Sequence, residues 1–320
     1  MIAGEQSANR LTEAGLFARY IAKKAELAAA PAASSPPLHN LPWYWNQAFA
    51  GPADAVVTVA AAWRLLYTCL SLLDDLEDGD FLAGKWAMTE LLPDTALKFP
   101  PVALNVSTGL IAQTGLLLAG LGEDDLPAGA ASDIQQAFFR TLLAMTQGQH
   151  GDLTLKEPTL DEAWQICVAK SGLWFRLGCW AGARTVTAAD DRLAQAATFG
   201  ENLGLLIQLG DDLTDLWGGE DKQSDLLQGE RWSLPVAYSM SVLPAADRAH
   251  LATLLASAGQ DRDAEAAARN IVIQSGAPLF LSVKAKSCRA QAEAALSAAG
   301  LSAAAAEPLM ALLAEHDLVP

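Results

Sequence analysis

The stretch AVVTVAAAWRLLYTCLSLLDDLEDGD, residues 55–80, decides the fold class of this chain. Its apolar part is rich in Ala and Leu, which form helices readily because they lose little side-chain freedom there. Similar Ala- and Leu-rich segments, separated by Gly and Pro, make up the rest of the sequence. We find no run in which β-branched and polar residues alternate, so the sequence predicts an all-α protein without a sheet.

The chain divides into a short N-terminal part and one long helical part. An amphipathic segment at residues 6–27 is followed by AAAPAASSPP, residues 28–37, where the prolines prevent a helix from continuing. With 320 residues and 52% hydrophobic content, the remainder is large enough to bury one core. We therefore predict an N-terminal helix and Pro-rich linker over 1–37 and a single helical domain over 38–320.

Charge excludes several classes of function. The formal net charge is −16, whereas nucleic-acid binding and attachment to anionic membranes both require a basic surface. Residues 55–73 are nearly long enough to span a bilayer, but they contain Arg64 and lead directly into acidic residues, which are costly in lipid. We predict a buried core helix there and no stable membrane insertion.

Cysteine usage and the N-terminus point to the cytoplasm. The cysteines lie far apart and form no Cys-x-x-Cys pair, so we expect reduced core thiols: Cys69, Cys167, Cys179 and Cys288. The first residues lack the apolar stretch of a signal peptide. The expected location is therefore cytoplasmic.

Acidic residues form two clusters, each directly after an apolar run. The two clusters repeat the spacing Asp-Asp-x-x-Asp, in which positions i and i+4 share one face of a helix: Asp74, Asp75 and Asp78, then Asp211, Asp212 and Asp215. Carboxylates packed this closely repel one another unless cations are present. Oxygen ligands without His or Cys favour Mg²⁺, which is commonly shared between carboxylates and substrate phosphates. Two such clusters predict a metal-assisted diphosphate site.

Around these clusters the sequence resembles the trans-isoprenyl diphosphate synthase family, also called the polyprenyl synthetase family. The resemblance extends from about residue 55 to residue 235. Besides both aspartate clusters, it rests on PPVALNVSTGLIAQTGLLLAG (100–120), GQHGDL (148–153), the pair Lys170-Ser171, Gln208, and DKQSDLLQGERWSLP (221–235).

The resemblance implies the isoprenoid synthase fold, a helical bundle around a central apolar cavity with the two aspartate helices facing each other at its mouth. It implies three Mg²⁺ ions held by Asp74, Asp75, Asp78, Asp211 and Asp215, and an allylic prenyl diphosphate held by Lys170, Lys222, Arg231 and Gln208. It also implies a homodimer.

The resemblance further locates the floor of the cavity, which limits substrate length. The floor is expected four and five positions before the first aspartate, at Leu70 and Cys69, with Tyr67 nearby. Neither Leu70 nor Cys69 is a large side chain. We therefore expect substrates of C15 or longer.

The sequence departs from the family at the second substrate site. Chain-elongating members bind isopentenyl diphosphate through basic residues and a His that are missing here. The corresponding positions are occupied by Leu38, His39, Leu41, Tyr67, Ala83 and Gly84. Desolvating a diphosphate without paired cations is costly, so ordinary elongation is not expected.

Three interpretations remain open. In the first, which we favour at this point, the allylic cation cyclises or loses a proton, as in terpene synthases of the same fold. In the second, the prenyl group is transferred to isopentenyl diphosphate through other contacts or to another acceptor. In the third, the chain is a non-catalytic partner subunit, which the two intact aspartate clusters disfavour.

We expect activity to require carboxylates from both clusters. Asp75→Ala and Asp211→Ala should each lower turnover by orders of magnitude, because each removes a ligand for the metal that neutralises the leaving diphosphate. Circular dichroism should show an intact fold, since each change also relieves repulsion between like charges. Unchanged turnover in either variant would contradict the metal-assisted mechanism.

Overall fold

The computed structural model describes residues 38–78, 100–122, 126–217, 227 and 232–316, apart from the side chains of Ala55, Asp78 and Val102. Several predictions fall outside these residues. They concern the N-terminal helix and linker over 1–37, the substituted positions Ala83 and Gly84, and the predicted diphosphate ligands Lys222 and Arg231.

The described residues form helices joined by short connections, and none of them lies in a strand, which confirms the all-α prediction. A 3₁₀ turn, Leu38–Asn40, precedes the first α-helix, and a π-helical turn, Val168–Gly172, joins α5 to α6. The α-helices are α1 Leu41–Ala48, α2 Ala53–Asp78, α3 Pro100–Ala119, α4 Ala130–Thr154, α5 Leu160–Cys167, α6 Leu173–Arg184, α7 Asp190–Trp217, α8 Leu234–Val242, α9 Ala245–Ala258, α10 Arg262–Gln274, α11 Ala277–Ala298 and α12 Ala303–Glu315.

Helix starts follow local capping chemistry. Thr159 and Glu162 form a reciprocal capping box at the start of α5. The Asp261 side chain accepts the backbone N–H groups of Asp263 and Ala264 at the start of α10, and the Ser302 hydroxyl caps α12. These residues satisfy amides that would otherwise lack partners, so these three starts are encoded locally.

The chain divides into two compact units. Unit 1 comprises Met1–His39 and Ala61–Gly120, and unit 2 comprises Asn40–Ala60 and Leu121–Pro320. The first aspartate cluster therefore belongs to unit 1, at the end of α2, and the second belongs to unit 2, near the end of α7. The predicted boundary between residues 37 and 38 and the single domain after it stay predictions.

In unit 1, α2 and α3 have buried apolar faces. The α2 side chains that are almost fully buried include Trp63, Leu66 and Leu72, and those of α3 include Leu110 and Leu118. The Cys69 thiol donates a hydrogen bond to the carbonyl oxygen of Ser107 at 3.3 Å, which links the two helices directly.

Within the described residues, one helical segment has the length and apolar composition needed to cross a membrane, Val56–Glu77 of α2. Half of its most apolar window is buried inside the fold. The core helix of a globular protein meets the same criterion of length and composition, so the predicted lack of membrane insertion stays a prediction.

In unit 2, α7 is the central helix and packs against both α6 and α11. Helix α1 packs on α6, and its Trp45 contacts Phe199 of α7 edge to face with ring centroids 5.6 Å apart. The Asn46 amide donates a hydrogen bond to the Thr185 hydroxyl at 2.8 Å, which fixes α1 at the end of α6. Helices α9 and α10 pack together as a further pair.

The close packing of α6 on α7 requires a glycine at position 200. A Cβ atom on Gly200 would lie 2.3 Å from the carbonyl oxygen of Phe175 and 2.9 Å from the Cα of Arg176. These are backbone atoms of α6, so they cannot give way without moving the helix.

Gly200→Ala should therefore destabilise the protein by about 3 kcal/mol, because overpacking at a helix contact forces backbone shifts. Gly259→Ala is the matched control: no atom lies within 4 Å of its added Cβ, and its φ of −64° suits alanine. That control should be neutral or about 0.5 kcal/mol more stable in urea unfolding. Equal stabilities of the two variants would contradict this account of the α6–α7 contact.

Candidate active site

The second aspartate cluster occupies the last turns of α7, and its three members differ in exposure. Asp211 lies at the surface and Asp215 is half-buried, one helical turn further along the same face. Asp212 is only 4% exposed. The two outward positions can offer oxygen ligands to a metal, whereas Asp212 points into the protein.

Asp212 belongs to a chain of hydrogen bonds that joins α7 to the π-helical turn. The Gln208 side-chain nitrogen donates to Asp212 Oδ1 at 2.9 Å, and the Ser171 hydroxyl donates to Gln208 Oε1 at 2.7 Å. Burial raises the pKa of Asp212 to about 7, and the Gln208 hydrogen bond opposes that rise. Gln208 is thus hydrogen-bonded to the second cluster, and its role in holding the diphosphate stays a prediction.

Lys170 lies on the same turn and pairs with a residue of the segment 148–153. Its Nζ is 2.7 Å from Asp152 Oδ2, and both side chains are about a quarter to a third exposed, at 26% and 30%. The positive charge of Lys170 also lowers the pKa of Asp212, although burial outweighs it. Lys170 is therefore within electrostatic reach of the second cluster.

A glycine allows α4 to approach the turn that carries Lys170. A Cβ atom on Gly148 would lie 2.3 Å from the Cβ of Ala169, so only glycine permits this spacing. Gly148 begins the GQHGDL segment, whose Asp152 pairs with Lys170 one turn later. The three sequence segments predicted as separate motifs thus meet within unit 2.

His316 is a further residue near the cluster, and sequence reasoning missed it. It follows α12, and its Nε2 is buried without a hydrogen-bond partner. Partial burial raises the pKa of Asp211, and the positive charge of His316 acts in the opposite direction. No motif marks His316, because it lies about a hundred residues after Asp211 in an Ala-rich tail.

The first cluster ends α2 in unit 1. Asp74 and Asp75 are half-buried and follow the fully buried Leu72, while the side chain of Asp78 lies outside the described residues. The expectation that the two aspartate helices face each other stays a prediction.

The residues predicted for the cavity floor differ in their surroundings. Cys69 is completely buried, and burial raises the pKa of its thiol to about 12. Tyr67 is 51% exposed and stacks on Trp63 at a centroid distance of 6.5 Å, and Leu70 is half-buried. Leu70 is thus partly accessible and Cys69 is not; that either residue limits substrate length stays a prediction.

A cavity of about 370 Å³ in unit 2 contains none of the predicted site residues. It is bordered by α4, α6 and the start of α7, and its polar lining includes Asp133, Arg176 and Arg184. Arg184 is bound there to Asp133 and to the carbonyl of Ala128, with donor–acceptor distances of 2.8 to 3.0 Å. We assign this cavity no part in the site.

The donor chemistry of the second cluster fits Mg²⁺. Asp211 and Asp215 supply carboxylate oxygens at i and i+4, and α7 itself contains neither His nor Cys. Among the described residues, no three His, Cys, Asp or Glu side chains form a cage around one point. Mg²⁺ commonly binds one or two carboxylates and completes its shell with water and substrate phosphates, so this arrangement suits it.

The sequence profile of the polyprenyl synthetase family matches residues 43–272. This match covers most of the chain and includes both aspartate clusters. The chain belongs to the polyprenyl synthetase family, as its resemblance predicted.

Two curated relatives are similar in sequence. A geranylgeranyl diphosphate synthase from Mycobacterium tuberculosis is 26% identical over 266 residues, which cover 79% of this chain and 66% of the relative. Geranylgeranyl pyrophosphate synthase D from Phomopsis amygdali is 27% identical, covering 62% of this chain and 46% of that protein. The chain therefore spans less than two thirds of the length of either relative.

Solved structures share the fold. A geranylgeranyl pyrophosphate synthetase from Pyrococcus horikoshii superposes with a TM-score of 0.75 at 18% identity, covering 88% of this chain and 85% of that one. A polyprenyl synthase from Caulobacter crescentus, complexed with calcium and isoprenyl diphosphate, gives 0.74 at 20% identity, covering 98% and 94%. These likenesses confirm the isoprenoid synthase fold. The homodimer and the cytoplasmic location stay predictions.

The burial of Asp212 predicts a pH-dependent stability in EDTA. Because burial raises its pKa from 3.8 to about 7, the protonated form favours folding, and this stabilisation is lost as pH rises from about 4 through 7. Asp212→Asn replaces the carboxyl group with an uncharged amide, whose oxygen can still accept the hydrogen bond from Gln208. It should be more stable than the wild type by roughly 1 to 3 kcal/mol at pH 8, and the gain should disappear near pH 4.

Urea unfolding at both pH values measures this difference, with Asp211→Asn as the comparison at the surface. A gain for Asp212→Asn that is the same at both pH values would show that Asp212 does not titrate on folding.

Proposed function

We propose that this chain is a Mg²⁺-dependent prenyltransferase, which ionises an allylic prenyl diphosphate and transfers the prenyl group to an acceptor. The observation that carries the proposal is the hydrogen-bonded chain from Ser171 through Gln208 to Asp212, with Lys170 beside it. It brings a cation and an aspartate cluster together in a protein whose overall charge is strongly negative.

In this proposal the carboxylates hold the metal and the lysine holds the substrate. Asp211 and Asp215 bind Mg²⁺ on α7, and Asp74 and Asp75, with Asp78, do so on α2. When bound, the metal neutralises the charge that develops on the leaving diphosphate. Three ions are the number that the resemblance implies.

Lys170 contributes a point charge to the diphosphate, and Asp152 keeps the ammonium group in place through their 2.7 Å ion pair. Lys222 and Arg231 are proposed as the remaining cations. Trp232, the residue after Arg231, donates its backbone N–H to the carbonyl of Lys156 at 3.1 Å, just beyond the helix that carries Asp152.

The proposed reaction replaces a carbon–oxygen bond with a carbon–carbon bond. The bond between C1 of the prenyl group and the diphosphate oxygen breaks, and the diphosphate leaves with the electron pair. An electron pair of the acceptor double bond forms a new carbon–carbon bond to C1. The acceptor then loses a proton, which the released diphosphate accepts. The side chains at the site hold the reactants in position for these steps.

Prenyl transfer is preferred to cyclisation because both curated relatives are synthases of a prenyl diphosphate. This reverses the order of the two interpretations expected from the sequence. Cyclisation or elimination is kept as a second candidate on one observation: neither Lys nor Arg occurs among residues 38–42, and Tyr67 stands where a His is expected.

Product analysis decides between the two. The full chain with Mg²⁺ is incubated with C10, C15 and C20 allylic diphosphates, each with and without isopentenyl diphosphate, and the products are identified by mass spectrometry. The proposal predicts a longer prenyl diphosphate only when the acceptor is present, with C15 or longer substrates preferred.

Hydrocarbons or alcohols whose amounts do not depend on isopentenyl diphosphate would instead support cyclisation or elimination. Asp211→Ala serves as the inactive control in every incubation. Wild-type protein that consumes none of the substrates under any condition would contradict both enzymatic functions and would favour the non-catalytic partner subunit.

A further inference from the structure

The end of α7, just beyond the second aspartate cluster, is bound by an arginine from α10. Arg269 Nη1 donates hydrogen bonds to the backbone carbonyl oxygens of Asp215 at 2.6 Å and Leu216 at 3.0 Å. The last four carbonyls of an α-helix have no amide partner within the helix. Arg269 therefore satisfies two of these four groups, including the carbonyl of the third aspartate in the cluster.

The arginine is itself paired inside the protein. Arg269 Nη2 lies 2.7 Å from Glu265 Oε1, one turn earlier on α10, and the two side chains are only 16% and 8% exposed. A buried guanidinium is costly without a partner, and the same holds for a buried carboxylate. The pair is therefore neutral as a whole and directs its remaining donors toward α7.

These contacts have two consequences for the cluster. Capping keeps the last turn of α7 from fraying, so that the carboxylates of Asp211 and Asp215 stay one turn apart on the same face. Neutralisation by Glu265 limits how strongly the Arg269 charge competes with a metal ion for those carboxylates. Without Glu265, the unbalanced positive charge of Arg269 beside the Asp215 backbone would weaken metal binding.

We propose that Arg269, together with Glu265, is a positioning residue for the metal-binding carboxylates of α7. It touches neither substrate nor metal and acts through the backbone of Asp215 and Leu216. The inference rests on the proposed function, in which the second aspartate cluster binds a metal ion together with a diphosphate. The inference goes beyond that function because it assigns a role to α10, a helix that contains none of the site residues predicted from the sequence.

The test measures binding without turnover. The probe is Mg²⁺ with inorganic diphosphate, and the readout is the rise in melting temperature as a function of Mg²⁺ concentration. Arg269→Gln should raise the half-saturating Mg²⁺ concentration about 10-fold, because loss of a group that orients a metal ligand typically has effects of this size. Arg269→Lys should restore part of the affinity, since an ammonium still caps carbonyls.

Glu265→Gln separates charge from capping. It preserves the arginine and its two carbonyl contacts while removing the neutralising charge. The half-saturating Mg²⁺ concentration should rise about 3-fold, because the positive charge of Arg269 then repels the metal ion without the Glu265 carboxylate to offset it. The rise should persist at high salt, since salt screens buried charges only weakly.

Arg184→Gln is the matched control for loss of a buried arginine. Arg184 also binds a carboxylate, that of Asp133, and backbone carbonyls, and its side chain is 5% exposed. This control should lower the melting temperature without ligand at least as much as Arg269→Gln does, and leave the Mg²⁺ dependence within about two-fold of the wild type.

The outcomes are distinct. An unchanged Mg²⁺ dependence in Arg269→Gln and Glu265→Gln, with a normal wild-type response, would overturn the inference and leave the proposed function standing. A wild type that Mg²⁺ and diphosphate do not stabilise would overturn the proposed function and the inference with it. If Arg269→Gln does not fold, Arg269→Lys and Glu265→Gln decide the question by the same readout.

Discussion

The side-chain amide of Gln208 lies between a hydroxyl and a buried carboxyl, and the candidate site of unit 2 depends on it. Its nitrogen donates to Asp212 and its oxygen accepts from Ser171. A buried carboxyl without such a partner costs several kcal/mol. The same amide fixes α7 against the π-helical turn, and this alignment sets where Lys170 stands relative to the aspartate cluster.

Near the second aspartate cluster, two basic side chains each form an ion pair with a nearby carboxylate. Lys170 pairs with Asp152, and Arg269 pairs with Glu265. Both cations are therefore largely balanced before any ligand arrives, in a chain whose formal net charge is −16. In the proposed function, metal ions held by the aspartates would therefore supply much of the charge that neutralises a diphosphate.

Some parts of the site could be predicted from the sequence and others could not. Asp212 follows from the Asp-Asp-x-x-Asp spacing, Lys170 and Gln208 follow from the family resemblance, and the structure brings the three residues together. Their partners were not predicted as partners, since Asp152 and Ser171 lie 18 and 37 residues away from the groups they bind. Arg269 was missed altogether, because an i, i+4 Arg–Glu pair on a helix ordinarily indicates a solvated surface.

The sequence by itself determined the helices and the spacing of the carboxylates, because helix propensity, capping and the i, i+4 periodicity are local properties of the chain. Only the tertiary structure decided which aspartate of the second cluster faces solvent and which is buried. Asp211 and Asp212 are adjacent and chemically identical, and only the packing of α7 against its neighbours distinguishes them. Burial and long-range hydrogen bonds depend on which helices meet, and no local pattern specifies that.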